Sequence, residues 1–500
     1  MTPTSSRVRA SWAHASWGGA SARSAATTAS VPVSATDRLG RIGTVVVRLG
    51  PLRMPSRSAV LDALHALTSV GPEVRIGLVP APDGRSWHYD PAGLRARCEA
   101  MVVEVPEGDD LDAVIADLIG AIDPAHPVRI VLAGSHLLHL FDHSLIDTRF
   151  MVGLPSALLS MAGGGALPEW VTAPTLRRPV LAAVVATYLR HPRKVLAFLD
   201  ARRRSGTARR LELAAADIAR TAGGPGAAEA PDAGVPAGAP DAAVPAGAPG
   251  RASAAGPSDA PRVPWTPDTT VAWIAGTTEG FRDTRAWIRA TDPHLSFGAV
   301  LLVMLRAAFR AEGITVAVHA DMVYDVRRFL PAGGQTNGNL ITGIPIAGAE
   351  DPAAVEDQLA RTMGAGRPVA ALAAGVVKEM IRPRRTAVEG VPADAPLYPR
   401  ARIALSNSGI SRPLQNLPWA DAPVHQVMYA IHPLPPENVG VQAVIIDRAL
   451  QLTVSFNGNV FRREAVERAL HRVVHEPMSV LAGLRLRTTD ETGGDDASAT

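Results

Sequence analysis

The chain has one cysteine, Cys98, and two lysines, Lys194 and Lys378, in 500 residues. A lone cysteine excludes an internal disulfide and any metal site built on a cysteine cluster, and it fits a reducing, cytoplasmic setting. Cys98 itself reads as a small buried residue. Lysine is scarce while Ala, Gly and Pro are in excess, so the arginines reflect genome base composition rather than a polyanion site. The formal net charge is only +3, and bulk electrostatics give no reason to expect nucleic acid. No apolar run approaches the ~18 residues of a membrane helix. The longest, Pro179–Leu189 and Phe297–Phe309, read as core helices. The first 35 residues have no continuous apolar stretch. They read as a disordered tail or an upstream extension, not as a secretory signal.

What is present is enough chain for more than one core. Residues 223–262 are almost entirely Ala, Gly, Pro, Asp and Val, with the near repeat PDAGVPAGA, PDAAVPAGA at 231–248. Such a segment cannot bury enough apolar surface to offset its ordering entropy and is expected to be a disordered linker. It separates a first half, 36–222, from a second, 263–486. A Gly-rich acidic tail, 487–500, follows.

Both halves mix strands and helices. In the first, Arg41–Arg48 and Val128–Leu140 read as strands, and Ser56–Thr68 and Asp110–Ile122 as amphipathic helices. In the second, Thr270–Ala275, Ile314–His319, Asn339–Ile346, Arg402–Ser406, Val441–Ile446 and Leu450–Phe456 read as strands. Ser296 caps an apolar helix through Phe309, and Glu464–His475 is amphipathic. Without strict βαβ alternation, the pattern favours two α+β subdomains over one doubly wound sheet.

The segment 128–148, VRIVLAGSHLLHLFDHSLIDT, carries the chemistry. An apolar run breaks at Phe141-Asp142-His143, and His143 and Asp147 form the chain's only H-x-x-x-D. A histidine at the end of a buried strand can serve as a general base near neutral pH. A carboxylate one turn later can hold the loop that aims it. The plainer alternatives are a hydrogen-bonded strand-end histidine and a helix N-terminal carboxylate. His136 and His139 read as buried or pocket-lining. His139, His143 and Asp147 would share a face if the segment were helical and could then ligate a metal. Asn339, Ser406 and Asn407 read as turn and strand-end residues or as contacts to a bound molecule.

Asp142-His143-Ser144-Leu145-Ile146-Asp147-Thr148 resembles the H-H-x-x-x-D-G motif of the chloramphenicol-acetyltransferase-like superfamily. That group includes condensation domains, polyketide-associated acyltransferases and wax ester synthase/diacylglycerol acyltransferases. His143 and Asp147 match, while Asp142 and Thr148 stand where the motif has His and Gly. Gly71-Pro72-Glu73-Val74-Arg75 is similar to the family's "hP-x-L-R" turn, and Asp325–Pro331 to its "D-x-R-x-x-L-P" segment. Gly338-Asn339-Leu340 with Pro345 resembles "G-N … L-P", and Ser406-Asn407-Ser408-Gly409 resembles "S-N-x-G". The D-F-G-W-G signature of the plant-type branch is absent.

The resemblance implies two α+β subdomains in a V-shaped pseudo-dimer around a central tunnel. It implies acyl transfer from a coenzyme A or carrier-protein thioester to a hydroxyl or amine, without a covalent enzyme intermediate. His143 would be the general base, and Asp147 a structural acid held by Arg327. Asp142, His139, Asn339, Ser406 and Asn407 are the tunnel candidates. No bound cofactor or metal is expected; acyl-CoA or acyl-phosphopantetheine is substrate. The basic run 190–210 would meet coenzyme A phosphates or an acidic carrier protein, or be a solvated helix face. With no carrier or adenylation module attached, a freestanding monomer acting in trans is expected, and contact with a membrane surface stays open. A catalytically inactive docking protein on the same fold is the competing expectation.

Overall fold

The computed structural model describes residues 28–40, 43–106, 111–112, 114–115, 126–146, 148–200, 261–381 and 392–484. Asp147, the expected linker through residue 260 and part of the expected helix 110–122 lie outside them, as does the basic run beyond residue 200.

Two sheets organise the chain. The first has five strands in the order Gln426–Ile431, Thr44–Gly50, His136–Asp142, Val128–Ala133, Val102–Val105, all antiparallel except the last pair. The second has six, in the order Ile341–Ala347, His319–Asp325, Arg402–Ile410, Asn438–Ile446, Ala449–Asn457, Thr269–Ala275. Two smaller sheets are built from short strands. This is the mixed α+β architecture the sequence implies.

Each main sheet buries one face under helices. The first core joins Val45, Val47 and Leu49 to Val60, Leu64 and Leu67 of helix Arg57–Thr68, and to Phe150, Leu154 and Leu158 of helix Thr148–Ala162. Ser56 caps the first of these helices, its hydroxyl accepting from Ala59 N. The second core is Leu450, Leu452, Val454 and Phe456 against helices Phe297–Ala311 and Arg463–His475. Among the described residues no helix is long and apolar enough to cross a membrane.

Several local expectations need correction. The apolar run 128–140 is a hairpin, not one strand, because Gly134 takes a left-handed conformation (φ 55°) and turns the chain. The strand expected at Ile314–His319 starts at His319; Val316 makes only an isolated bridge to Ala401. Pro179–Leu189 is not a core helix throughout, since Leu181 and Leu189 are exposed and its second half is π-helical. Regular structure also reaches into the expected N-terminal tail. Ala29–Pro32 pairs with Ser86–Tyr89, and Ser34 and Asp37 form a capping box. Arg262, expected in the linker, opens a short strand paired with Asp394–Pro396.

The halves are interleaved. Strand Gln426–Ile431 comes from the second half in sequence but is an edge of the first sheet. An edge strand leaves a row of backbone groups unpaired. Here Val427 N donates to Gln451 Oε1 (2.9 Å), Tyr429 N to Thr453 Oγ1 (3.2 Å) and Ile431 N to Ser455 Oγ (3.0 Å). Gln451, Thr453 and Ser455 alternate with the core-facing Leu450, Leu452, Val454 and Phe456 of one strand. One face of that strand therefore fills a core, and the other stitches the sheets together.

Candidate functional site

The site begins where strand His136–Asp142 runs out. The Asp142 carboxylate accepts from Ser144 N at 2.7 Å, and its carbonyl accepts from Leu145 N at 3.0 Å. An aspartate folded onto the backbone two residues ahead is a standard way to start a turn. Asp142 thus builds the loop, a role its place among tunnel candidates did not anticipate. His143 N donates to Gly43 O (3.1 Å), which ties the loop to the adjacent strand's entry. His143 is 3% exposed. Helix Thr148–Ala162 follows the loop.

Arg75 braces the loop from below. Its Nε donates to Leu145 O at 2.7 Å, and its Nη2 lies 2.9 Å from Asp37 Oδ1, an ion pair that is close but not aligned as a hydrogen bond. Asp37 is fully buried and also accepts from Ser34 N (2.8 Å). Arg75 takes a left-handed backbone (φ 70°), a strain of about 1 kcal/mol. The Gly71–Arg75 turn was legible as a motif. Asp37 was not, although Ser34 and Asp37 have capping-box spacing.

The second half supplies the other wall. Arg327 donates from Nε and Nη2 to Thr336 O (3.2 Å each) and from Nη2 to Gly338 O (2.8 Å), and pairs with Asp325 (3.3 Å). Asn337 Nδ2 donates to Glu73 O (2.9 Å), docking this loop on the Arg75 turn. The loop delivers Asn339, whose Nδ2 lies 3.1 Å from His143 Nδ1 and 3.4 Å from His143 O. The expected pairing of Arg327 with Asp147 falls outside the described residues. Within them, Arg327 organises the backbone that carries Asn339.

A cavity of about 710 Å³ lies between the halves. One wall is the small-residue face of helix Thr148–Ala162, with Gly153, Ser156, Ala157 and Ser160 beside Trp170. The opposite wall has Asp325, Arg327, Ile341, Ser406 and Asn407. Asn407 sits at a β-bulge, its Oδ1 accepting from Gly409 N (3.0 Å). Ser406 and Asn407 line this cavity together with Arg327. His143 is not among the residues that line it.

His139 is not a cavity residue. It is fully buried among core side chains, its ring 4.8 Å from that of Phe141, and neither ring nitrogen has a hydrogen-bond partner. Desolvation pushes its pKa down to about 3. The helical metal face of His139, His143 and Asp147 is also overturned: His139 lies on a strand and His143 in the turn after it. Among the described residues no group of three His, Cys, Asp or Glu could hold a metal ion. His136, at the other end of the strand, has its pKa lowered by burial and by the Arg48 charge. Cys98 is buried beside Thr68 Oγ1 (3.5 Å).

No family model matches the sequence, and no curated protein matches it. Solved structures do match. The chain is similar to trichothecene 15-O-acetyltransferase TRI3 from Fusarium sporotrichioides, at 10% identity and a TM-score of 0.55, over 89% of this chain and 95% of that one. It is similar to the condensation domain of the monacolin K polyketide synthase MokA, at 12% identity and a TM-score of 0.52, over 91% and 97% of the two chains. It also matches the nonribosomal peptide synthetase FmoA3, at 15% identity and a TM-score of 0.51, over 91% of this chain and 44% of that one. At such identities the likeness establishes the fold.

Proposed function

The chain has the chloramphenicol-acetyltransferase-like fold, and from that fold and the His143 site we propose that it is an acyltransferase. The observation that carries the reading is a buried imidazole at a strand end, held by an amide from the opposite half beside an inter-half cavity. In the proposed reaction, His143 takes the proton from an acceptor hydroxyl or amine as the oxygen or nitrogen attacks the thioester carbonyl. The C–S bond breaks, and the departing thiolate takes that proton back from the imidazolium. No covalent enzyme intermediate is needed. The donor is an acyl thioester of coenzyme A or of carrier-borne phosphopantetheine. The cavity, apolar at Trp170, Val152 and Ala157, would take the part of a substrate remote from the reacting carbon.

The test is thiol release from short- and long-chain acyl-CoA esters with alcohol and amine acceptors, for the wild type and His143→Ala. Loss of a general base lowers kcat by about 10²–10⁴-fold with donor binding nearly unchanged. Equal thiol release by both proteins would overturn the role of His143. Thioester binding without transfer would favour a docking protein on the same fold.

A further inference from the structure

Helix Pro179–Leu189 has one face turned inward and one turned out. Val180, Val184 and Tyr188, four residues apart, pack with Val369 and Leu372 of helix Arg367–Ile381. The Tyr188 hydroxyl donates to Gly366 O at 2.7 Å. In a plain α-helix, residues eight apart drift by ~80° around the axis. The π turn Val185–Leu189 takes in an extra residue and keeps Val180 and Tyr188 on one side. Leu181 and Leu189, each one position later, therefore share the adjacent face. Both are exposed, Leu189 to 75%. After the turn Arg190-His191-Pro192 comes a second helix, 193–200. Its Phe198 ring lies 6.2 Å from that of Tyr188, which seats it beside the first. Val195, Leu196 and Leu199 have the spacing of a single helix face. All three are exposed, Leu196 to 68%.

A single exposed leucine needs no explanation, but five large apolar side chains on two adjoining helices do. Their charge surroundings are one-sided. Arg177, Arg178, Arg190, Arg193 and Lys194 lie along the same stretch, and no carboxylate occurs from residue 170 to 199. The four arginines are exposed. A solvated helix face explains the cations and not the leucines. An anionic lipid surface explains both, since it takes apolar side chains into its hydrocarbon boundary and holds cations at its phosphates. We propose that these two helices seat the protein on an anionic membrane. Helix Pro179–Leu189 is about half as long as a membrane-spanning helix, so it lies along the surface. Arginine and lysine at the margin reach the headgroups while their stems cover apolar area. The proposal does not rest on the acyltransferase reading.

The experiment is flotation of the full chain with vesicles of phosphatidylcholine alone and of equal parts phosphatidylcholine and phosphatidylglycerol. The expected result is binding to the mixed vesicles, weakened by salt, and little to the neutral ones. Each cation at an anionic surface is worth about fivefold in partitioning, so Arg190→Gln, Arg193→Gln and Lys194→Gln together should lower it about 100-fold. Leu189→Ser, Leu196→Ser and Leu199→Ser together should lower it by at least about tenfold, with an unchanged circular dichroism spectrum. The arginines beyond residue 200 remain in both variants. Attachment through those alone would leave the leucine variant at the wild-type level, and that result overturns the proposal. So does a wild type that ignores the mixed vesicles or binds both kinds equally. Loss in the cation variant alone, with binding of an acidic carrier protein, would put a protein in place of the lipid and also overturns it. If the triple leucine variant does not fold, Leu196→Ser alone decides. Flotation needs no substrate, so vesicle binding without thioester transfer would count against the acyltransferase reading alone.

Discussion

The halves meet at two seams built on different principles. At one, Gln451, Thr453 and Ser455 satisfy successive N–H groups of strand Gln426–Ile431, and Asn457 Nδ2 donates to Pro433 O and Pro436 O (3.0 and 3.1 Å). These four side chains do not titrate in the ordinary pH range, and all are buried. At the other, Asn339 from one half meets His143 from the other, with the Arg75–Asp37 pair beneath and a cavity alongside. A seam of matched, uncharged donors and acceptors can only hold. A seam that ends on an imidazole can also exchange protons, so chemistry is expected there and not at the ladder.

The largest effect is expected from removing the buried charge under the second seam. Asp37→Ala leaves the Arg75 guanidinium without its carboxylate and should cost about 3–5 kcal/mol in urea unfolding. A loss below about 1 kcal/mol, the range of exposed pairs, would mean that the pair does not brace the loop. Acid comes next. His139 is neutral in the fold, with a pKa of about 3 against 6.5 for an ordinary imidazole. Its folded pKa is depressed, so stability is full above pH 6.5 and is lost as pH falls toward 3. The unfolded chain binds the extra proton, and at ~1.4 kcal/mol per pH unit the loss at pH 4.5 is about 3 kcal/mol. His139→Leu should remove that share of the acid sensitivity; an unchanged pH dependence of the urea midpoint would show that the imidazole finds a partner.

Thr453→Val at the ladder leaves Tyr429 N–H buried without an acceptor and should cost about 1–3 kcal/mol, with any transfer activity unchanged. Loss of activity at unchanged stability would erase the distinction between the seams. The smallest effect sharpens it. Thr453→Ser keeps the hydroxyl and deletes one methyl, so thermal unfolding should report a loss near ~0.8 kcal/mol.

The His143 loop was legible because its signal is local: a buried run, a break, and H-x-x-x-D within a few residues. Asn339 was legible as part of a motif, but its contact with His143, 196 residues away, was not. Asp142 was named a tunnel candidate from its place in the motif, and its turn-closing bond to Ser144 N was not foreseen. The ladder was invisible. Alternating Leu450, Leu452, Val454 and Phe456 announce a strand with one buried face, and Gln451, Thr453 and Ser455 then read as its solvent side. Nothing near them in sequence says that another strand's N–H groups lie there. Strand Gln426–Ile431 went unnoticed for a related reason, being a short apolar run with no alternation and no turn signal of its own. The hairpin at Gly134 was missed because two residues are all the turn it needs.

Strand Gln426–Ile431 has a consequence for how the molecule comes apart. By sequence it belongs to one half, and by sheet to the other. A cut in the chain between residues 200 and 261 would leave two fragments, one lending a strand to its neighbour. Neither fragment could complete its own folding, because the first would lack an edge and the second would carry a strand with no sheet. The natural failure of such a molecule is exchange, in which the lent strand of one copy completes the sheet of another.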